Sequence, residues 1–279
     1  MCCGRKSATS LYFAVPDYYL GKPVRVDYVT CVACGLVQQT PVPGDVADFY
    51  DDYPVHHERS SPLERAAGLL MRDVYRDASR DAAGSVMLDY GCGNGAYLGS
   101  LRGRAFELLG LERDAVQASR VSERLGVPVY GDPEALLRDH RGRVDVLTMH
   151  FVLEHVTDLS ETFSRVSQLL KPGGSAYIVV PNASSWERRL FGRKWHGLDP
   201  PRHISFPDAP AVGDLARRHG MTLHQSRPVA FPNGVAGSIP VVLLGRFSSP
   251  LFLACLPLGV LLSRLAPTGC TAFVVVKEG

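Results

Sequence analysis

The chain reads as an α/β protein built on a doubly wound, mainly parallel sheet, and three observations predict this. Short apolar runs alternate with amphipathic stretches from Val86 to about Val229, as expected for strands covered on both faces by helices. A glycine-rich stretch, "GCGNG" at 91–95, directly follows the first apolar run, and open α/β sheets bind ligands at the carboxyl ends of their strands. The length, 279 residues at 46% hydrophobic and 21% charged, suits one large domain or a domain with an appendage.

In chain order, residues 1–55 are rich in Cys, Pro and Tyr and carry no long helical period. They are read as a segment apart from the domain at 56–279. "SPLE" from Ser61 supplies a capping serine, proline at the first helical position and glutamate at the third. It predicts a helix with Leu63, Ala66, Leu70 and Val74 on one face. Strands follow at "VMLDY" (86–90), "FELLGLE" (106–112), "VPVYG" (127–131), "VDVLTMH" (144–150) and "SAYIVVP" (175–181). Helices are expected at 96–101, 115–125, 158–170 and 208–219. The third is the clearest, with Asp158 and Glu161 as a capping pair and Leu159, Phe163, Val166 and Leu170 on one side.

A net charge of +2 offers no general field for a polyanion, so nucleic acid is not an expected partner. The first residues lack the pattern of a secretion signal, which makes the cytosol the default setting and the seven cysteines reduced or metal-bound.

Two cofactor classes explain the glycines. Gly91, Gly93 and Ala96 fit G-x-G-x-x-A, the turn that admits a dinucleotide pyrophosphate, with Glu112 at ribose distance downstream. The same letters also read Asp89-x-Gly91-x-Gly93-x-Gly95. A carboxylate at Asp89 repels phosphates but accepts from a cationic amino-acid group.

On "LDYGCGNG", "GLERD", "YGD", "HFVLEHVTDL" and "LLKPGGSAYIVVPN", in that order, the chain resembles the class I S-adenosylmethionine-dependent methyltransferases over about residues 61–279. The resemblance implies a Rossmann-like sheet of seven strands with the last antiparallel, "TLHQSRPVAF" and "CTAFVVVKEG" supplying strands six and seven. It also implies that Gly91, Gly93 and Gly95 pass the methionine moiety, that Glu112 binds the ribose hydroxyls and that Asp132 reaches the adenine amine. A carboxylate facing a vicinal diol offers two acceptors to two donors. His150 and Phe151, at the end of the fourth strand, are expected to border cofactor and substrate.

Glu154 and His155 match the family's "LEH". In the ubiquinone-type O-methyltransferases acids and a histidine of this region have been linked to a divalent ion, but here His150 and Val152 stand where more acids would be expected. For His155 a packing role and a catalytic one both remain open. After the fifth strand, "WERRLFGRKWHGLDPPRHISF" (186–206) is read as a substrate lid. It resembles a segment of related small-molecule methyltransferases in which a histidine precedes Ser-Phe, here His203. His203 is the expected base or substrate ligand, with His196 second; the alternative is a histidine bonded to the loop backbone. Arg188, Arg189, Arg193, Lys194 and Arg202 form either a solvated face or an anion-binding set.

The hydrophobic insertion (235–265) holds an apolar run at 235–262, broken by Arg246, Pro240, Pro250 and Pro257. It is too interrupted for a spanning helix. It is open between core or subunit contact, a greasy or membrane-surface patch serving a lipid-like substrate, and an anchor.

In the N-terminal segment, Cys31-x-x-Cys34-Gly35 is half of a zinc knuckle. Some methyltransferases of this type resemble its layout, a zinc ribbon followed by a stretch like "PVPGDVADFYDDY" (41–53). Cys3 aligns with the second cysteine of the other knuckle. Either Cys2 substitutes for the first, or the chain starts too late, or the site has decayed. Structural zinc on Cys2, Cys3, Cys31 and Cys34 and four ordinary thiols are therefore both open. The reading as a whole is a methyltransferase acting on an O, C or N nucleophile of a small, amphiphilic molecule. An NAD(P)-dependent oxidoreductase and an inactive cofactor-binding scaffold are the alternatives.

Overall fold

The computed structural model describes residues 8–44, 85–104, 107–266 and 268–279. The helix expected from Ser61, the 41–53 stretch beyond residue 44, and Cys2 and Cys3 lie outside them.

The apolar runs become a seven-stranded sheet. Its strands are β4 (Val86–Tyr90), β5 (Glu107–Leu111), β6 (Val129–Tyr130), β7 (Val144–His150), β8 (Leu170–Pro181), β10 (Met221–Val229) and β11 (Cys270–Lys277). The spatial order is β10-β11-β8-β7-β4-β5-β6. β6, β5, β4, β7 and β8 run parallel. β11 enters antiparallel between β8 and β10, as the resemblance implied. Successive residues face opposite sides: Leu88, Leu147 and Ile178 enter one core, Met87, Tyr177 and Val179 the other.

Aspartates start the helices. Asp114 caps α2 (Ala115–Leu125), Asp132 caps α3 (Pro133–His140), Asp158 caps α4 (Leu159–Leu169) and Asp208 caps α6 (Ala209–Arg218). Each accepts from one or two orphan amides, a contribution of about 1 kcal/mol. α1 (Ala96–Leu101) and α2 match the expected bounds. α3 was not anticipated, and β8 begins five residues earlier than expected because Leu170 already pairs with Val144 across the Lys-Pro-Gly-Gly bend.

The N-terminal segment forms β1 (Ala8–Pro16), β2 (Arg25–Cys31) and β3 (Val37–Thr40), an antiparallel sheet. Its fourth strand, β9 (Ser205–Phe206), comes from the far end of the stretch expected as a lid, with Val37 opposite Phe206. Between β8 and β9 lie α5 (Trp186–Phe191) and two short 3-10 turns. Trp195, Leu198, Ile204 and Phe206 are buried, so the second half of the expected lid is packed interior, joined to Val15, Val26, Tyr28 and Val37.

Arg202 corrects the sequence reading most sharply, being neither solvated nor available to an anion. It is fully buried; its guanidinium donates to both Asp17 oxygens (3.0 and 2.9 Å) and to both Asp199 oxygens (3.1 and 2.6 Å). Burial opposes its charge, and the two carboxylates more than offset that. Burial likewise works against the Asp199 carboxylate, but bonding to Arg202 holds it at about 2.

The apolar insertion is a helical hairpin, α7 (Asn233–Leu244) and α8 (Ser249–Leu265). Among the described residues no helix is long and apolar enough to cross a membrane.

Removing one member of a buried ion set strands the others. Asp17→Ala should cost about 3–5 kcal/mol, read as a lowered urea midpoint, while the exposed Arg189→Ala stays within about 0.5 kcal/mol. Equal effects would contradict the buried triad.

Candidate functional site

The glycine loop springs from the end of β4. The amides of Gly91 and Cys92 both donate to the Leu111 carbonyl (2.8 and 2.9 Å), turning the chain away from the sheet. Gly91, Gly93 and Gly95 have φ of +80°, +54° and +72°, the left-handed region that favours glycine. A Cβ at Gly91 would lie 2.5 Å from Val152, and one at Gly95 2.5 Å from Val121; at Gly93 it would meet nothing within 4 Å. Two of the glycines thus answer to conformation and packing. The middle one answers to conformation alone and faces open space, so a ligand passing there would meet bare backbone.

Glu112, directly after β5, closes on this loop. It is buried, and its oxygens accept from the amides of Gly93 (2.8 Å) and Asp114 (3.1 Å). Each carboxylate oxygen keeps a further acceptor position. Asp132, one strand over, is exposed and accepts from the amides of Glu134 and Ala135 at 3.0 and 3.2 Å. Asp89 stands in β4 opposite Thr148, whose hydroxyl donates to it at 2.8 Å; His150 Nδ1 lies 3.7 Å from the same oxygen. The His150 ring packs edge-on against Tyr97, 4.6 Å between centroids. Phe151, the residue after β7, is a non-glycine at φ +59°, a strained position of the kind that gathers at functional sites. Its ring meets Phe231 at 4.9 Å. Burial, then Asp89 and Glu112, pushes the Cys92 thiol up, keeping it neutral.

A second cluster lies beyond β7. Glu154 is fully buried, and neither oxygen reaches a hydrogen-bond partner among the described residues. Burial raises its pKa to about 8. His155 Nδ1 is bonded to the Arg202 carbonyl (2.9 Å) and His203 Nδ1 to the Gly197 carbonyl (2.8 Å), the rings meeting edge-on at 4.6 Å. Burial lowers the pKa of both, His155 to about 3, so both are neutral near pH 7. Glu154, His155 and His203 each bring one donor atom within 4.8 Å of the others. Of the three histidines given a possible catalytic role from sequence, the structure brings His155 and His203 together and leaves His196 outside. His196 stacks on Phe247 (5.5 Å) and fills the space left by Gly237.

Glu187, in α5, escaped the sequence reading. It is fully buried, and its carboxyl occupies the places where Cβ atoms of Gly234 and Gly269 would be. Burial raises it to about 7, with the Trp195 indole working the other way, although no hydrogen bond closes between them. Glu154 and Glu187 both act on the buried Cys270 thiol, pushing it up after burial itself. Both carboxyls therefore lie within electrostatic range of Cys270, which pairs with Pro181 at the end of β8. A polar residue in an apolar helix turn, as in "SSWERRLF", is the only sequence signal for Glu187, and it resembles any solvated acid.

In the N-terminal sheet, Gly35 N donates to Cys31 O (2.9 Å) with Gly35 at φ +73°. The C-x-x-C-G segment thus makes a tight turn with Cys31 and Cys34 on it.

Comparison with known proteins agrees with this geometry. The family model for a methyltransferase domain matches residues 63–226, more than half of the chain. A ubiquinone biosynthesis O-methyltransferase of Pectobacterium carotovorum is 31% identical over 120 residues, 40% of this chain and 50% of that protein. The chain spans about half the length of the curated relatives it matches. Among solved structures, a SAM-dependent methyltransferase from Archaeoglobus fulgidus superposes with a TM-score of 0.53 at 16% identity, over 83% of this chain and all of that one. Phosphoethanolamine N-methyltransferase 2 of Haemonchus contortus, solved with S-adenosyl-L-methionine, gives 0.52 at 17% identity over 87% of this chain and 63% of that one. At these identities the two structures speak for the fold.

Gly91→Ala and Gly95→Ala should each cost about 2–4 kcal/mol, strain plus clash, against about 1–2 for Gly93→Ala, read by urea unfolding. Glu154, neutral when folded up to about pH 8, ionises near its ordinary value of 4.5 when unfolded. Stability therefore falls as pH rises from about 4.5 to about 8. Glu154→Gln should leave stability near pH 4.5 almost unchanged and raise it by a few kcal/mol, roughly, above pH 8. A pH-independent difference in urea midpoint would refute the buried neutral acid.

Proposed function

We propose, on the premise that this chain belongs to the methyltransferase-domain family, that it carries a methyl group from S-adenosylmethionine to an oxygen, or a nitrogen or carbon, of a small amphiphilic molecule. The observation that carries the reading is the left-handed Gly93, open on one side and bonded through its amide to Glu112. Placement of Gly91, Gly93 and Gly95 along the methionine moiety, Glu112 on the ribose hydroxyls and Asp132 by the adenine amine follows the family's logic; Asp89 toward the methionine amine follows from its charge. His150 and Phe151 would line the same cleft.

S-adenosylmethionine, when bound, supplies a methyl group on a sulfonium. Transfer is then an in-line displacement in which the protein aligns the acceptor and excludes water. Neutral His203 is the first candidate to accept a proton from an acceptor hydroxyl; His155, held lower at about 3, is the weaker base. Glu154, His155 and His203 also suit a divalent ion: the buried, unpartnered Glu154 carboxyl beside two imidazoles is a fitting nitrogen and oxygen donor set. Structural zinc on Cys31 and Cys34, with Cys3 and Cys2, belongs to the same proposal, as does a cytosolic, membrane-peripheral setting with contact through 235–262. The antiparallel β11 speaks against a dinucleotide oxidoreductase.

Calorimetric titration with S-adenosylmethionine and NADH tests the reading. S-adenosylmethionine should bind, at least about tenfold more weakly in Glu112→Ala, and NADH should give no heat. NADH binding instead would overturn it. Acceptor-dependent release of S-adenosylhomocysteine separates an enzyme from a scaffold.

A further inference from the structure

Of the α7–α8 hairpin, α7 is largely buried, with Val235, Ala236 and Val241 in the interior, whereas α8 is packed inside out. Toward α7 it turns small residues: Gly259 and Ser263 are buried, and a Cβ at Gly259 would lie 2.5 Å from the Pro232 carbonyl oxygen, at the start of α7, and 3.2 Å from Ala236. Four of its seven leucines point the other way. Leu253, Leu258, Leu261 and Leu265 are 59%, 45%, 56% and 73% exposed, and at about 100° per residue they share one face of the helix. Leu243, at the end of α7, is 66% exposed beside them in sequence. In a helix that only covers a core, leucines face inward and small residues lie anywhere.

Along the hairpin itself the charges have one sign. Arg246 follows α7, Arg264 sits in the last turn of α8, and Lys194 reaches the Val242 carbonyl. No aspartate or glutamate occurs between Asp214 and Glu278. A second copy laid on the face about a two-fold axis would set cations against cations without acids to answer them. An anionic lipid leaflet meets both features, because the leucines enter the acyl boundary while the arginines stay with phosphate. Spanning is not available to it, since α8 has 17 residues and α7 only 12, short of the ~20 that a bilayer requires.

We propose that the outer face of the α7–α8 hairpin rests in the interfacial layer of an anionic bilayer, the helices lying in its plane. This deepens the amphiphilic-acceptor reading by naming the lipid surface as the partner from which such a molecule would be taken up. The contact itself needs neither cofactor nor turnover.

The test is co-sedimentation of the full chain with phosphatidylglycerol–phosphatidylcholine vesicles against phosphatidylcholine alone, without cofactor. Leu253→Glu/Leu261→Glu should lower partition at least about tenfold while thermal unfolding and S-adenosylmethionine titration stay unchanged. Arg246→Gln/Arg264→Gln should abolish the preference for anionic vesicles while leaving the fold intact, and salt should weaken wild-type binding. Failure of the wild type to bind, or equal binding by the leucine variant, overturns the proposal. So does a dimer in ultracentrifugation that the leucine variant dissociates, because the face would then cover a second copy. S-adenosylmethionine titration of the same samples reads the cofactor assignment separately, so either idea is able to fail alone.

Discussion

The buried guanidinium of Arg202 is the constraint on which the arrangement around the second cluster depends. A cation taken out of water at a cost of several kcal/mol is tolerated only when its donors are matched, and here Asp17 and Asp199 match them. Asp17 follows β1, at the far end of the sequence from β9, so the pairing ties the N-terminal sheet to the chain beyond β8. Other bonds then follow the same seam. Tyr28 in β2 donates to the carbonyls of Leu198 and His203, Arg202 O is bonded to His155 Nδ1, and Ile204 N donates to Glu154 O at 2.6 Å. A triad of this kind adds little net stability compared with apolar packing of the same volume; its effect is positional. It fixes where two histidines and a glutamate meet.

What could be read from sequence divides along the range of the forces involved. β4, β7, α2 and α4 follow from local pattern, since a buried parallel strand needs a continuous apolar run and these two helices start on aspartate caps. The resemblance added the antiparallel β11. α3 was missed because "PEALLRDH" is short and its cap, Asp132, had already been assigned to a ligand; the structure shows it capping, and a cap leaves lone pairs for more. β1, β2 and β3 alternate poorly, since β1 is exposed over most of its length, and the sheet closes only through a strand some 165 residues on.

The candidate site divides the same way. Gly91, Gly93, Gly95 and Glu112 are neighbours in a motif, so their proximity was legible. Arg202 was not, because in "DPPRHISF" it looks like any surface cation until Asp17 arrives from another element. His196 and His203 are similar in sequence, both following a basic residue or an aromatic in one loop. Only packing separates them: Gly237 makes room for the first ring against Phe247, whereas the second is turned to His155.

Three glutamates show how environment, and not residue type, sets chemical capacity. Glu112 is satisfied by two amides and stays an acceptor on the open side of the glycine loop. Glu154 and Glu187 are buried without hydrogen-bond partners among the described residues, and burial raises both toward neutrality. Glu187 fits only because Gly234 and Gly269 lack side chains, and these glycines stand at the two roots of the α7–α8 insertion, one at the start of α7 and one just before β11. The hairpin is therefore hung from the small volume that holds the Glu187 carboxyl. A side chain larger than hydrogen at either root would displace the carboxyl or the hairpin, so the outward leucine face and this interior acid are two ends of one packing solution.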